Sequence, residues 1–288
     1  MAPPLVVEFT KMNGAGNDFV VIDNRFYHFT DDELAALARR TCPRRTGIGA
    51  DGLLAFASPR GEGHHFRMRY FNADGSLGTM CGNGARCLVR YARRAGLGAE
   101  PLVFETDAGT YRATAPLDPG TPVRLFVDPP RDWRPDRPLA RADGETPAAI
   151  HYLWTGTEHA VCPVPDVASA PVGVWGPAIR HDAALAPQGA NVNFVQVEEE
   201  GGGGTPAVLR VRTFEKGVED ETLACGTGAL ASAVAARLLG HVRTETVQVR
   251  MPGGTLAVGF RLGEGGEAVH DLYLEGPAEV VYRGTFEG

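Results

Sequence analysis

The stretch Arg69-Tyr-Phe-Asn-Ala-Asp-Gly-Ser-Leu-Gly-Thr-Met-Cys81-Gly-Asn-Gly-Ala85 has a counterpart later in the chain, Arg212-Thr-Phe-Glu-Lys-Gly-Val-Glu-Asp-Glu-Thr-Leu-Ala-Cys225-Gly-Thr-Gly-Ala229. The arginines are 143 positions apart and the cysteines 144, so one inserted residue separates the copies. That shift is half of the 288 residues, and it reads as a duplicated domain. The fold expected is α+β, with two pseudo-symmetric domains. The helix after the second cysteine, GTGALASAVAARLL, is apolar on almost every side and requires burial all round. A curved, mostly antiparallel sheet around a central helix would provide that in each half.

Working outward, the boundaries expected are 1–119 with a return strand at 277–288, and 120–276, with Pro119-Gly120 as the linker. Thr30 and Glu33 have capping-box spacing ahead of an apolar stripe at Leu34, Leu37 and Ala38. Gly82–Arg94 and Gly226–Leu239 read as helices stopped by Gly96 and Gly240. Val123–Val127 reads as the strand that opens the second half. The stretches 128–148 and 165–188, rich in Pro, Arg, Asp and Ala, read as irregular connections. Gly201–Gly204 reads as a hairpin tip. Further matched places are Asn17 with Thr157, Phe19 with His159, and Asn72 with Glu215. Polar groups recur at matched positions with altered chemistry, as an asymmetric ligand held by symmetric halves would require.

Bulk properties exclude several classes. Hydrophobic content of 43% supports proper cores, and a net charge of −7 argues against a nucleic-acid or anionic-membrane partner. No run approaches membrane-spanning length, and MAPPLVVEFTK lacks the basic head and apolar run of a signal peptide. Five scattered cysteines without a CxxC pair point away from metal and towards free thiols in a reduced cytoplasm. No dinucleotide or P-loop pattern is present, and no lysine stands in a Schiff-base context, so pyridoxal phosphate is not implied.

The chemistry lies in Cys-Gly-x-Gly. At a helix start, free N–H groups and the positive helix end favour an anion, and the same field favours a thiolate. Two such ends could hold one carboxylate and present one thiol each, so that a proton leaves one face of a carbon and returns to the other. A single cysteine of this kind would more simply be a small buried residue. Two at matched positions of a repeat favour function. His159 and Glu215 are the candidates that assist the thiols, on the strength of GTEHAV and RTFEKG. Cys87 reads as helix packing.

With KMNGAGNDFVVID, GIGADGLL, YFNADGSLGTMCGNGARC, NVNFVQV and EKGVEDETLACGTGA in this order, the chain resembles the diaminopimelate epimerases. The resemblance implies two similar domains with the site in the cleft between them, and cofactor-independent interconversion of LL- and meso-diaminopimelate. By position it implies Cys81 and Cys225 as acid/base residues, with His159 and Glu215 tuning them. Asn17, Asn72 and Asn191 would bind the substrate. Gly82-Asn83 and Gly226-Thr227 would offer helix-end N–H groups, and Lys216 would meet the distal end. The expected partner is a small amino-acid substrate, in a protein that, like its family, could pair as a homodimer. The family commonly has Asn-Pro-His where this chain has Thr157-Glu158-His159, Arg in place of Lys216, and often Gln in place of Gly52. Arg grips a carboxylate at two points whereas Lys is a point charge. A racemase of another amino acid is therefore the alternative within enzymes. A non-catalytic binding protein or thiol redox sensor is the alternative outside them.

Overall fold

A computed structural model describes residues 5–118, 120–140, 147, 149–266 and 268–287. The chain forms two compact units, residues 1–126 with 276–288, and residues 127–275. In the first, β1 (Val6–Gly14) and β2 (Asn17–Asp23) form a hairpin whose turn, Ala15-Gly16, has φ of 56° and 95°. A short α1 (Asn24–Tyr27) leads to α2 (Asp31–Thr41), where Thr30 and Glu33 form the complete capping box. Then come β3 (Gly52–Ala57), β4 (Phe66–Asn72), β5 (Leu77–Gly78), α3 (Gly82–Arg94), β6 (Leu102–Thr106), β7 (Gly109–Thr114) and β8 (Val123–Phe126). The second unit runs β9 (Arg131–Pro138), β10 (Ala149–Trp154), β11 (Glu158–Pro163), α4 (Val172–Arg180), β12 (Asn191–Glu199), β13 (Ala207–Glu215), β14 (Asp220–Thr222), α5 (Gly226–Leu238), β15 (Thr246–Met251), β16 (Gly254–Leu262) and β17 (Val269–Gly276). The last strand, β18 (Glu279–Glu287), pairs antiparallel with β1.

The strand pairings repeat one for one. Parallel pairs β2/β3 and β4/β6 correspond to β11/β12 and β13/β15. Antiparallel β3/β4, β4/β5 and β6/β7 correspond to β12/β13, β13/β14 and β15/β16. Beside β1 lies β18, as β9 lies beside β10. The duplication is thus one of topology as well as of motif. In each unit one helix meets most of the strands. α3 packs on β1, β2, β3, β4, β7 and β8, and α5 on β10, β11, β12, β13, β15 and β16. A helix in contact with six strands is buried along most of its length, and only its ends reach water. Nine of the thirteen residues of α5 are buried, as its unrelieved apolar sequence demanded.

Three regions differ from the reading of the sequence. β8 belongs to the first unit, because Ala113↔Leu125 and Thr114↔Arg124 place it beside β7. Gly120 therefore lies inside a β7–β8 connection rather than a linker, while Pro119 is outside the described residues. Within 128–148, β9 is a strand on β10 with register breaks. Its prolines are tolerated because prolines survive at irregular, edge-like positions. Residues 141–146 and 148 of that stretch are outside the described residues. Within 165–188, α4 is a helix despite Gly173, Gly176 and Pro177. It forms because Val172, Trp175 and Ile179 meet a core with Phe194 and Phe214. Gly176 is required there, since a Cβ would come within 2.6 Å of Phe214.

Candidate active site

In the first unit Cys81 is the N-cap of α3, with extended backbone angles (φ −141°, ψ 115°). Its Sγ accepts the Gly84 N–H at 3.5 Å. The cysteine does the work of a capping Ser or Asp. Asn83, in that turn, donates to Asn17 Oδ1 at 2.6 Å, and Asn17 donates to Asp51 Oδ2 at 3.0 Å. Arg44 joins Asp51 and Asp18 at 2.7 and 2.8 Å, and buried Lys11 meets Asp18 at 2.7 Å. Burial alone would raise the Asp18 pKa. Hydrogen bonds from Arg44 and Lys11 outweigh it and hold it at about 2. Asn72 accepts from the Tyr70 hydroxyl at 2.6 Å. Burial, then the charge of the neighbouring Cys81, pushes the Tyr70 pKa up. Gly52 makes room for this: a Cβ there would meet the Phe71 carbonyl at 2.6 Å and the Tyr70 ring at 2.7 Å.

In the second unit Cys225 caps α5 in the same way (φ −122°, ψ 106°), its Sγ accepting the Gly228 N–H at 3.4 Å. Thr227 Oγ1 lies 3.5 Å from the sulfur, and Thr155 Oγ1 donates to the Thr227 carbonyl at 2.9 Å. The starts of β11 and β12 and the end of β13 meet at one edge, since His159 pairs with Asn191 and Asn193 with Thr213. There Asn193 donates to His159 Nδ1 at 3.0 Å and accepts from Thr213 at 3.0 Å. Its amide oxygen lies where a Cβ on Gly228 would collide with it. His159 is fully buried. Burial, then the nearby Lys216 charge, pushes its pKa down to about 3, so it is a neutral imidazole. Burial raises the Glu215 pKa. Burial, then the Glu215 carboxylate, pushes the Cys225 thiol up to about 12. Lys216 is ion-paired with Glu158. Its backbone N–H donates to Asn191 Oδ1 at 2.8 Å, and Asn191 Nδ2 donates to the Glu158 carbonyl at 3.3 Å.

The residues singled out from the sequence thus form two groups: Asn17, Asn72, Cys81, Gly82 and Asn83 in the first unit, and His159, Asn191, Glu215, Lys216, Cys225, Gly226 and Thr227 in the second. His159 reaches the start of α5 through Asn193. The sequence reading gave no role to Tyr70, Asp51, Arg86 or Asn193, and met Glu158 only as a departure from the family's pattern. Asn193 carried a signal of its own, being two residues from Asn191 on a strand and hence on the same face. Cys42, Cys87 and Cys162 are buried and free. No three His, Cys, Asp or Glu side chains form a metal-binding group among the described residues. Nor is any helix among them long and apolar enough to cross a membrane.

A family model of diaminopimelate epimerase matches residues 9–124 and 151–281. The chain belongs to the diaminopimelate epimerase family. The diaminopimelate epimerase of Chlorobaculum tepidum is 43% identical over 279 residues, covering 95% of this chain and 99% of that relative. The one from Methanocella arvoryzae is 42% identical, covering 98% and 97%. Among solved structures, a phenazine biosynthesis protein of the PhzF family from Bacillus anthracis aligns with a TM-score of 0.70 over 98% of this chain and 99% of its own. Its sequence identity is 16%, so that likeness speaks for the fold alone.

Proposed function

We propose that this protein interconverts LL- and meso-diaminopimelate without a cofactor, with Cys81 and Cys225 as its two proton carriers. The observation that carries the reading is the pair of matched helix starts, each with a thiol as N-cap and glycines in the first turn, in a chain of this family. In this mechanism the substrate carboxylate lies against the helix-start N–H groups of Gly82-Asn83 and Gly226-Thr227. One sulfur, as thiolate, takes the α-proton. The electron pair left behind delocalises into the carboxylate, where helix-end N–H groups stabilise it more than the ground state. The other sulfur, as thiol, returns a proton to the opposite face, and the two sulfurs have exchanged protonation states. Neutral His159 orients Asn193, and Glu215 stands by Cys225. Asn17, Asn72 and Asn191 hold the reacting amino acid, and Lys216 with Glu158 meets the distal end. All five thiols being free suits a reducing cytoplasm.

The test is α-proton exchange in deuterium oxide with diaminopimelate, lysine, glutamate and proline. Deuterium is expected in the product stereoisomer of diaminopimelate before the recovered substrate, provided the thiol protons exchange slowly during turnover. Lysine turned over as well as diaminopimelate would favour the racemase reading instead. Gel filtration would show whether two copies pair.

A further inference from the structure

Arg86 lies in the second turn of α3, five residues beyond Cys81, and is 0% exposed. Helical side chains lean towards the helix N-terminus, and this one does. Its Nη2 donates to Asn83 Oδ1 at 2.6 Å and its Nη1 to the Gly82 carbonyl at 3.5 Å. Its Nε has no hydrogen-bond partner. Among the described residues no carboxylate pairs with it. The placement is unfavourable three times over. A cation has left water without a counter-ion, it lies near the positive end of a helix, and a buried donor is unsatisfied. Packing alone would be served by an aliphatic residue, and the matched position in α5 is Leu230, 2% exposed. A residue kept against stability points to an electrostatic task.

The anions within reach are few. Asp51 is reached only through Asn83 and Asn17, and it is already paired with Arg44. Cys87 is fully buried, and burial pushes its thiol up to about 12. Cys81 is partly exposed and already receives a helix N–H. We propose that Arg86 is a positioning residue whose fixed charge makes Cys81, rather than Cys225, the thiol that ionises first. The inference rests on the reading of both cysteines as proton carriers. The ionisation breaks only the S–H bond and gives its proton to solvent. Burial raises the Cys81 pKa, and the Gly84 N–H and then the Arg86 charge oppose that rise. Beside Cys225 the leading charge is Glu215, which adds to it. Of the two, Cys81 is then the thiol that gives up its proton first and acts as the base, and Cys225 the one that keeps its proton and acts as the acid. The stereoisomer whose α-proton faces Cys81 reacts from that ionisation directly. The other needs a proton to pass to Cys81 and leave Cys225.

The test is the pH dependence of iodoacetamide alkylation on the full chain, followed cysteine by cysteine by peptide mass mapping. Cys81 should ionise at least about one pH unit below Cys225, a tenfold difference in thiolate. Arg86→Met should raise the Cys81 value by about one unit or more and leave Cys225 in place, and Arg86→Lys should restore most of it. Cys225 ionising first or together with Cys81 in the unaltered protein would overturn the inference, even if Arg86→Met fails to fold. So would a folded Arg86→Met with Cys81 unmoved. No substrate is needed for these readings. An unaltered protein with the expected order but no exchange of the diaminopimelate α-proton would support the inference about Arg86 and sink the proposed function.

Discussion

The helix starts at Cys81 and Cys225 share their backbone geometry and differ in the side chains near the sulfur. Both thiols cap a thirteen-residue helix through the N–H three residues on. Near Cys81 stand Arg86 and Tyr70, and Asn83 in its helix turn starts an amide chain through Asn17 to Asp51. At the matched places around Cys225 stand Leu230 and Glu215, with neutral His159 where the first unit has Phe19. One sulfur has a cation nearby and the other a carboxylate. Duplication preserved what must be alike, the helix ends and the thiols. It released what must differ, because an α-carbon bearing a hydrogen presents two unlike faces.

The largest effect should come from removing either sulfur. Cys81→Ser and Cys225→Ser should each lower epimerisation by roughly 10²–10⁴-fold, the usual worth of a positioned acid or base. Steady-state rates in both directions check this. If one variant kept near-normal rates, the two helix starts would not be a catalytic pair.

The two matched helix starts were legible in the sequence, because a motif repeated at half the chain length is local in sequence. Thr30 and Glu33 were equally legible, since a capping box lies within four residues. The electrostatic asymmetry was not. Nothing in the sequence sets Arg86 apart from Arg90, Arg93 and Arg94 in the same helix. Its burial depends on six strands drawn from distant segments. Asp18, Arg44 and Asp51 come together only through the β2–β3 register. α4 was hidden by its glycines and proline, and is held by burial against Phe214 rather than by propensity. The meaning of Lys216 was only half visible, because its partner Glu158 lies on another strand.

Lys216 gives the next effect in size. Its matched position in the first unit is Ala73, so a cation has been placed on one side only. Lys216→Ala should lower kcat/KM for diaminopimelate roughly 10–100-fold, about 1.5–3 kcal/mol, mainly through KM. Lysine, which lacks the distal carboxylate, should be affected much less. Equal losses on both substrates would show that Lys216 shapes the site and does not read the substrate.

A smaller effect concerns pH and separates His159 from Phe19. His159 has a folded pKa of about 3, against 6.5 for an ordinary histidine. The unfolded chain therefore takes up this proton first. Stability from the neutral imidazole is complete above pH 6.5 and is lost as pH falls towards 3. At pH 4.5 the loss should be at most about 3 kcal/mol. Urea midpoints at pH 7 and 4.5 for the unaltered protein and His159→Gln should converge on acidification. Parallel shifts in the two proteins would mean that His159 is not held neutral.

The smallest effect, and the sharpest test of local difference, lies in the third residue of each helix. Gly84 and Gly228 occupy the same place, and each donates its N–H to its cysteine. A Cβ on Gly84 would meet the end of the Leu54 side chain at 3.1 Å. Leucine can turn aside by a few tenths of an ångström, and alanine gains helix propensity over glycine. Gly84→Ala should therefore change stability by less than about 1 kcal/mol. A Cβ on Gly228 would instead strike Asn193 Oδ1 and approach Cys225 Sγ at 3.2 Å. Asn193 cannot move freely, because its amide is bonded to His159, to the Ala160 carbonyl and to Thr213. Gly228→Ala should cost about 1–3 kcal/mol, read as a lower urea midpoint. Because displacing Asn193 releases His159, the acid sensitivity of stability should fall as well. If the two variants proved equally mild, the second helix start would be less tightly determined than its hydrogen bonds indicate, and the contrast with the first would lie in charge alone.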